Sequence, residues 1–420
     1  MLNSFKEFID NSKTAFHAVE NIKALLLAGG FEEIEENDSK PLTPGGKYFV
    51  TRNGSSIIAF RNRPGAFVIC ASHSDSPTFK VKSDERGAAY VKLATEKYGG
   101  MIHYTWLDRP LGIAGRVVIS TERGIKTVNA DLGKSVIIPS VAIHLNRSVN
   151  ESCNLNPARD LIPLAALKGA PTLNELIAKA CGCECAAVIA HDLFLYPKDK
   201  AQTVGFADEL ISAPRIDDLA SVYLSTVAFI EDNSADNTPV LAVFDNEEVG
   251  SSTKQGAASA FLADTLLRVA NYDRGELVRR LADGFMASID NAHALHPNHP
   301  ELYDAANAPL LGSGVVIKHN ANQRYATDAV SEAIFKQVCA KAGVKTSSYY
   351  NRPDMPGGST LGSISDTVVP VKTVDIGLPQ LAMHSSYETA AVSDLYSMKN
   401  ALSALYATSL SSKDGEIVIA

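Results

Sequence analysis

Residues 240–252 read VLAVFDNEEVGSS, and this stretch indicates how the chain is built. The apolar run from Val240 to Phe244 favours a short buried β-strand that ends where the polar residues begin. In open α/β sheets, ligands bind outside the carboxyl ends of the strands, where Glu247 and Glu248 would lie. Neighbouring side chains point in different directions, so the pair predicts two tasks: one carboxylate holds a metal ion and the other acts on a water beside it. A solvated acidic turn is the alternative interpretation.

Length and composition narrow the class of protein. The chain has 420 residues, of which 45% are hydrophobic and 20% charged, so we expect a globular protein with more than one structural unit. Its net charge of −8 argues against nonspecific binding to nucleic acid or to an anionic membrane. It contains no run of eighteen apolar residues, so no transmembrane helix is predicted. The N-terminus has an amphipathic helical pattern that Gly29-Gly30 ends, unlike a signal peptide, and we predict a cytoplasmic protein.

Six cysteines are too few for a disulfide framework in a chain of this length. Three of them, Cys181, Cys183 and Cys185, cluster in ACGCECAAV. On a strand they would face one side, which leaves a thiolate metal site open. The spacing is not that of a zinc knuckle, so structural or incidental thiols are the favoured interpretation.

The predicted secondary structure changes in character twice along the chain. The first part reads as a helix followed by strands, with a hairpin signal at Asn53-Gly54. Residues 86–212 are rich in strand formers separated by Gly, Pro and Asp, and alternating strands and helices return afterwards. We therefore predict an α/β domain of residues 1–85 and 213–420, split by an inserted, mostly β domain of residues 86–212.

Acidic and histidine side chains recur at polar breaks directly after apolar strands or at helix starts. Two imidazoles with several carboxylates form a mixed nitrogen and oxygen set that suits zinc, cobalt or manganese. Taken singly, each has an ordinary interpretation, such as a hydrogen-bonded surface histidine or a turn aspartate. The candidates are His73, Asp217, Glu247, Glu248, Asp290 and His384.

Six segments resemble the aspartyl aminopeptidase family of dinuclear zinc exopeptidases. They are, in order, ASHSDSP, APRIDDL, FDNEEVGS, DNAHALHPNHPE, NQRYATDA and LPQLAMHSSYE. The N-terminal helix and several segments of the insertion, such as WLDRPLGIAGRV, are similar to that family too, so the resemblance spans nearly the whole chain. It implies a zinc-exopeptidase-like α/β sandwich as catalytic domain, with the inserted β-rich domain mediating dimerisation.

The resemblance also implies a ligand set for two divalent metal ions. Asp217 would bridge the two ions. His73 and Asp290 would complete the protein ligands of one ion, and Glu248 and His384 those of the other. The ions would be zinc, with cobalt or manganese as alternatives.

Two further acids receive roles from the same resemblance. Glu247 would be the general base that takes a proton from the attacking water and returns it to the departing amine. Asp75 would orient the imidazole of His73 by accepting its remaining N–H. A simple turn aspartate is the alternative interpretation of Asp75.

Lys318 occupies the place where the family has a lysine facing an acidic first side chain. A lysine would favour Asp or Glu there by charge pairing. The alternative is a solvated lysine beside a strand. Asn322 stands where animal members of the family carry another lysine, which leaves a broader substrate range open.

Two more positions have candidate substrate contacts. Gly357 and Gly358, in NRPDMPGGSTLGS, favour a substrate-lining loop at a helix N-terminus over a phosphate-cradling loop, because no Gly-Lys-Ser/Thr motif is present. His144 belongs to the insertion, and in the family an equivalent histidine reaches into the active site of a neighbouring subunit. A buried strand histidine bonded to backbone is its alternative interpretation.

Together these features predict a dinuclear zinc aminopeptidase that removes the N-terminal residue, Asp or Glu, from peptides with a free N-terminus. The resemblance implies a homo-dodecamer built from dimers, and neither nucleic acid nor membrane is an expected partner. A related metallopeptidase of broader or different specificity is one alternative. A non-catalytic metal-binding shell is another, although such a protein has no use for a base such as Glu247.

Overall fold

The computed structural model describes residues 1–234, 236–355, 357–413 and 416–420. The helices are α1 Leu2–Asn11, α2 Ala15–Ala28, α3 Leu173–Cys181, α4 Ile216–Glu231, α5 Phe261–Val269, α6 Arg274–Ala282, α7 Ala329–Lys341, α8 Leu361–Val368 and α9 Val392–Tyr406. The strands are β1 Glu32–Glu33, β2 Lys47–Arg52, β3 Ser56–Arg61, β4 Phe67–His73, β5 Thr78–Arg86, β6 Tyr90–Tyr98, β7 Leu111–Thr121, β8 Gly124–Val136, β9 Leu164–Leu167, β10 Val188–Pro197, β11 Gln202–Val204, β12 Leu210–Ala213, β13 Thr238–Phe244, β14 Phe285–Ile289, β15 Ala292–His293, β16 Val315–His319, β17 Thr346–Tyr350, β18 Lys372–Gly377, β19 Pro379–Leu381, β20 Glu388–Ala391, β21 Leu410–Lys413 and β22 Glu416–Ile419.

A nine-stranded sheet forms the centre of the molecule, in the order β1-β2-β3-β13-β4-β14-β18-β16-β17. Its inner strands β13, β4, β14 and β18 run parallel to one another. All seven residues of β13 are buried. The strand predicted from Val240 to Phe244 is therefore confirmed, as an inner strand covered on both faces.

Side chains of β13 alternate between two apolar cores. Leu241 and Val243 pack in the core that includes α1, α2, α4, α7 and α9. Val240, Ala242 and Phe244 pack in a second core with α5, α6 and α8. Helices thus cover both faces of the sheet, which confirms the predicted α/β sandwich.

The hairpin predicted at Asn53-Gly54 joins β2 and β3 near one edge of this sheet. Asn53 has a φ of 59° and Gly54 a φ of 67°. Two consecutive positive φ angles are those of the central residues of a type I′ turn, and Asn-Gly adopts them most readily.

A second, six-stranded sheet has the order β8-β7-β10-β5-β6-β9, and all its pairs are antiparallel. It packs with α3 around its own apolar core. Its strands run from Thr78 to Pro197, whereas β11 and β12 join a five-stranded sheet with β20, β19 and β15. The β-rich middle of the chain is as predicted. The division at residues 85 and 213 stays a prediction, since β5 crosses the first boundary and β12 the second.

Two local patterns differ from expectation. The N-terminal helical pattern forms two helices, because the chain leaves the helix at Ser12 and re-enters it after Thr14. Cys181 ends α3 and Cys185 begins a 3₁₀ turn, so the three clustered thiols do not alternate along a strand. Among the described helices, none has the length and apolar character needed to cross a membrane.

Candidate metal centre

The parallel strands bring three candidate residues to one edge of the central sheet. His73 is the last residue of β4 and pairs in register with Phe244, the last residue of β13. Glu247 follows β13 in a 3₁₀ turn, and Asp290 follows β14 directly. Because β13, β4 and β14 are neighbours, their carboxyl ends place these side chains together.

The first of two ligand clusters surrounds the imidazole of His73. Its Nε2 lies 3.4 Å from Asp217 Oδ1, 3.9 Å from Asp218 Oδ2 and 3.8 Å from Asp290 Oδ1. All four residues are buried, and each offers a ligand atom within 4.8 Å of the others. Asp217 and Asp218 open α4 with non-helical backbone angles, which turn them out of the helix. We call this group the first cluster.

The second cluster consists of Asp217, Glu248 and His384. His384 Nε2 lies 3.4 Å from Asp217 Oδ2 and 3.3 Å from Glu248 Oε1. The two carboxylate oxygens of Asp217 therefore face different histidines, one in each cluster. The structure brings all five predicted ligands together, and their assignment to two ions stays a prediction.

Unpaired buried oxygens test whether these residues suit a metal ion. Asp217 Oδ1, Asp218 Oδ1 and Glu248 Oε1 are buried without a hydrogen-bond partner among the described residues. Leaving a buried acceptor unpaired costs about 1–3 kcal/mol, and more when it is charged. Cations coordinated by these atoms would remove that cost. Imidazole and carboxylate donors in this mixture suit zinc, so the residues fit the group.

The pKa values of His73 and His384 also indicate that the carboxylates of this site favour a positive charge beside them. Burial alone would lower the pKa of His384, but the hydrogen bond to Asp217 and the charge of Glu248 raise it to about 10. Burial also opposes the charged form of His73, yet Asp218, Asp217 and Asp290 raise its pKa well above the usual range. A divalent cation would meet the same carboxylate field and displace these protons.

Glu247 lies beside the clusters without belonging to either. It lines a cavity of about 180 Å³ with Asp217, Asp290 and His384. Burial, followed by the charges of the neighbouring carboxylates, raises the pKa of Glu247 to about 8 despite the opposing effect of His73. Cations in the clusters would favour its ionised form.

Asp75 holds the turn that carries the adjacent glutamates. Its carboxylate accepts the backbone N–H groups of Glu247 and Glu248, both at 3.1 Å, and the hydroxyl of Tyr98 at 2.6 Å. His73 Nδ1 donates to the backbone carbonyl of Asp75 at 3.2 Å and lies 3.5 Å from its Oδ1. Asp75 is predicted to orient the imidazole of His73. The hydrogen bond that does so comes from the backbone carbonyl of Asp75 rather than from its carboxylate.

The sequence interpretation missed two buried acids. Asp218 is fully buried, and its Oδ2 accepts the backbone N–H of His73 at 3.2 Å. Glu388 accepts the N–H of Asp217 at 2.9 Å and that of His384 at 2.8 Å, so one side chain fixes two candidate ligands. Adjacency in RIDDL, weighed as it was for Glu247-Glu248, would have identified Asp218. Glu388 carries no comparable signal, because its partners are backbone N–H groups, one of them 171 positions away.

Lys318 lies in the wall of the same cavity and is 2% exposed. Its Nζ donates to the carbonyl of Asp290 at 2.7 Å and that of Asn291 at 3.3 Å, and lies 3.4 Å from Asp290 Oδ2. Burial opposes its charge, but Asp290 and other anions outweigh it and raise the pKa of Lys318. The ammonium stays charged, and the interpretation as a solvated lysine is wrong.

The predicted glycines and His144 lie in different places. Gly358 lines the cavity beside Thr360, the N-cap residue of α8, while the carbonyl of Gly357 accepts from Arg324 at 2.8 Å. His144 lies on an exposed turn of the segment between β8 and β9, and is not among the described residues that line this cavity. Its alternative interpretation as a buried strand histidine is wrong.

Comparisons with known proteins agree on one family. A family profile described as "Aminopeptidase I zinc metalloprotease (M18)" matches residues 8–406. The "Probable M18 family aminopeptidase 2" of Clostridium novyi is 42% identical over 413 residues, covering 94% of this chain and 95% of that protein. Among solved structures, that of the Ape4 and Nbr1 complex has a TM-score of 0.92 at 34% identity, covering 96% of this chain and 85% of the other. The S. cerevisiae mApe1 dodecamer has a TM-score of 0.83 at 25% identity, with coverage of 96% and 95%.

Proposed function

The chain belongs to the M18 family of zinc aminopeptidases, and from that premise we propose that it removes N-terminal residues from peptides at a centre of two divalent cations. The observation that carries the dinuclear proposal is the shared carboxylate of Asp217, whose two oxygens each lie 3.4 Å from a different histidine. A bridging carboxylate offsets the repulsion between two neighbouring cations, which a single-ion site does not need.

His73, Asp218 and Asp290 would hold one cation with Asp217, and Glu248 and His384 would hold the other. Paired cations lower the pKa of a shared water and stabilise negative charge that develops on a carbonyl oxygen. Zinc agrees best with the family, and cobalt or manganese suit the same donors.

Glu247 supplies the acid–base step in this proposal. It lines the cavity together with Asp217, which belongs to both clusters, but is a member of neither. It accepts the proton of the attacking water and delivers it to the departing amine. Asp75 fixes the backbone of Glu247 and thereby aims the carboxylate.

We propose Asp and Glu as the preferred first residues, on account of Lys318. It is the only Lys or Arg among the described residues that line the cavity. Because its ammonium already donates to the carbonyls of Asp290 and Asn291, it attracts an acidic side chain by charge rather than by a free hydrogen bond. The same contacts support a broader first-residue range as the second candidate.

Aminoacyl chromogenic substrates, assayed with metal-depleted and then reconstituted protein, test the reaction, the metal and the specificity together. We expect activity only after divalent metal returns, with Asp and Glu substrates cleaved best. N-acetylated substrates are the matched control, and equal cleavage of these would refute the aminopeptidase assignment. Equal rates for acidic and neutral first residues would favour the broader range.

The proposal extends to assembly and location. We propose a cytoplasmic homo-dodecamer built from dimers, supported by the dodecamer of S. cerevisiae mApe1 among the structural relatives. In such an assembly the exposed turn with His144 would approach the active site of a neighbouring subunit. Light scattering coupled to size-exclusion chromatography tests the assembly, and a stable monomer would contradict it.

A further inference from the structure

We propose that residues 98–106, the connection between β6 and β7, position the second cluster and set its affinity for metal. This connecting segment runs from Tyr98, the end of β6, through the 3₁₀ turn His103–Trp106. It joins two strands of the six-stranded sheet, yet it contacts both ligands that are particular to the second cluster, Glu248 and His384. The inference rests on the proposed dinuclear function.

The imidazole of His384 is oriented by this segment. Its Nδ1 donates to the carbonyl of Gly100 at 2.8 Å, which leaves Nε2 as the ligand atom facing Asp217 and Glu248. Such an outer hydrogen bond fixes the tautomer and the ring plane of a metal-binding histidine.

The backbone of His384 is held from the same side. Its φ of 66° lies in the left-handed region, which is costly for a residue with a side chain and persists only when surroundings enforce it. Ile102 N–H donates to the His384 carbonyl at 3.0 Å. Two residues after His384, the N–H of Ser386 donates to Thr105 Oγ1 at 3.0 Å, and the Ser386 hydroxyl donates to the Thr105 carbonyl at 2.5 Å.

Glu248 is confined by the beginning of the segment. A Cβ added at Gly99 would lie 3.1 Å from Glu248 Cβ and 3.3 Å from its Oε2, so the backbone of Gly99 packs directly on this ligand. The hydroxyl of Tyr98 donates to Asp75 at 2.6 Å and accepts from Asn246 Nδ2 at 2.8 Å. Both partners belong to the network that holds the Glu247-Glu248 turn.

The first cluster has different supports. The side chains of His73, Asp218 and Asp290 contact one another, Asp217 and Lys318, and His73 Nδ1 also contacts Asp75. The connecting segment reaches this cluster only indirectly, through Asp75. A disturbance of the segment should therefore weaken one of two metal-binding steps.

The decisive experiment measures both binding steps in the full chain, with Zn²⁺ titrated calorimetrically into metal-depleted protein and bound metal checked by elemental analysis. Tyr98→Phe removes one hydroxyl and keeps the ring, and Thr105→Val keeps the side-chain shape. We expect Thr105→Val to weaken one step about 10- to 100-fold, as loss of outer hydrogen bonds does at metal sites, and to leave the other within about twofold. Tyr98→Phe should weaken the same step more than the other, because its hydroxyl bonds Asp75, which also contacts His73. Tyr90→Phe, on the exposed part of β6, is the matched control and should change neither step.

Thermal unfolding of each variant identifies any general loss of structure. Wild-type affinities in both folded variants, or equal weakening of both steps, would overturn the role of the segment and leave the dinuclear proposal standing. Uptake of a single ion by the wild-type chain would overturn the dinuclear proposal and this inference with it.

Discussion

The two clusters contain similar donor atoms but are built on different parts of the fold. Every residue of the first cluster is buried, with His73 at 1% and Asp218 at 0% exposure. In the second cluster, the side chain of His384 is 30% exposed. The first cluster stands on strand ends and the start of a helix, whereas Glu248 and His384 lie on turns. The sheet and helix fix the positions of the ligands that lie on them, whereas ligands on turns must be held in place by contacts with other segments.

The strongest test of the comparison removes the residue that the clusters share. Asp217→Ala should release both ions and abolish turnover, because each proposed ion loses a charged ligand. Elemental analysis after gel filtration measures the metal content. Retention of two tightly held ions would contradict bridging. Glu7→Ala, which removes an exposed carboxylate in α1, serves as the control for losses during handling.

A second substitution separates metal binding from proton transfer. Glu247→Gln should retain both ions and reduce turnover by about 10²–10⁴-fold, the usual contribution of a general base. The glutamine keeps the size of the side chain but cannot take a proton. Loss of metal in this variant would show that Glu247 is a ligand and would refute its assigned role.

Metal removal should proceed in two phases if the clusters differ as their burial indicates. A chelator should extract one ion faster, by roughly tenfold or more, because outer support and exposure tune metal retention. A zinc-sensitive dye follows both phases. His384→Ala should eliminate the fast phase, and a fast phase that survives in this variant would assign the weaker site to the first cluster.

The smallest expected effect concerns substrate choice. Lys318→Met should reduce the preference for acidic over neutral first residues roughly tenfold, equivalent to about 1.4 kcal/mol. Lys318→Arg keeps the charge and should retain most of the preference. Because Lys318 also contacts Asp290, metal content must be measured in both variants, and a parallel loss on all substrates would assign Lys318 to support of Asp290 alone.

The sequence was informative wherever a residue's position relative to its own strand determines its place in the fold. His73, Glu247 and Asp290 could be predicted together because each follows an apolar strand, and parallel neighbours share a carboxyl edge. The sequence pattern contains no comparable information on contacts to backbone groups. Glu388 bonds the N–H of Asp217, 171 positions away, and only the folded chain reveals that contact.

Other limits have equally specific causes. The break between α1 and α2 was missed because Ser12 to Thr14 interrupt the helix without glycine or proline. Alternation of Cys181, Cys183 and Cys185 is compatible with a strand, but α3 ends at Cys181 and Gly182 follows in a left-handed conformation. The predicted boundary at residue 85 stays a prediction, and it lies within β5, which runs from Thr78 to Arg86.

The short connection between the two large sheets has a consequence for protein engineering. Only Ser74, Ser76, Pro77 and the intervening Asp75 separate His73, the end of β4, from Thr78, the start of β5. Four residues span at most about 14 Å. An engineered chain that replaces the six-stranded sheet by a foreign domain must therefore join the two sequences within residues 74–77. An error of one residue at that junction would displace His73, a candidate ligand.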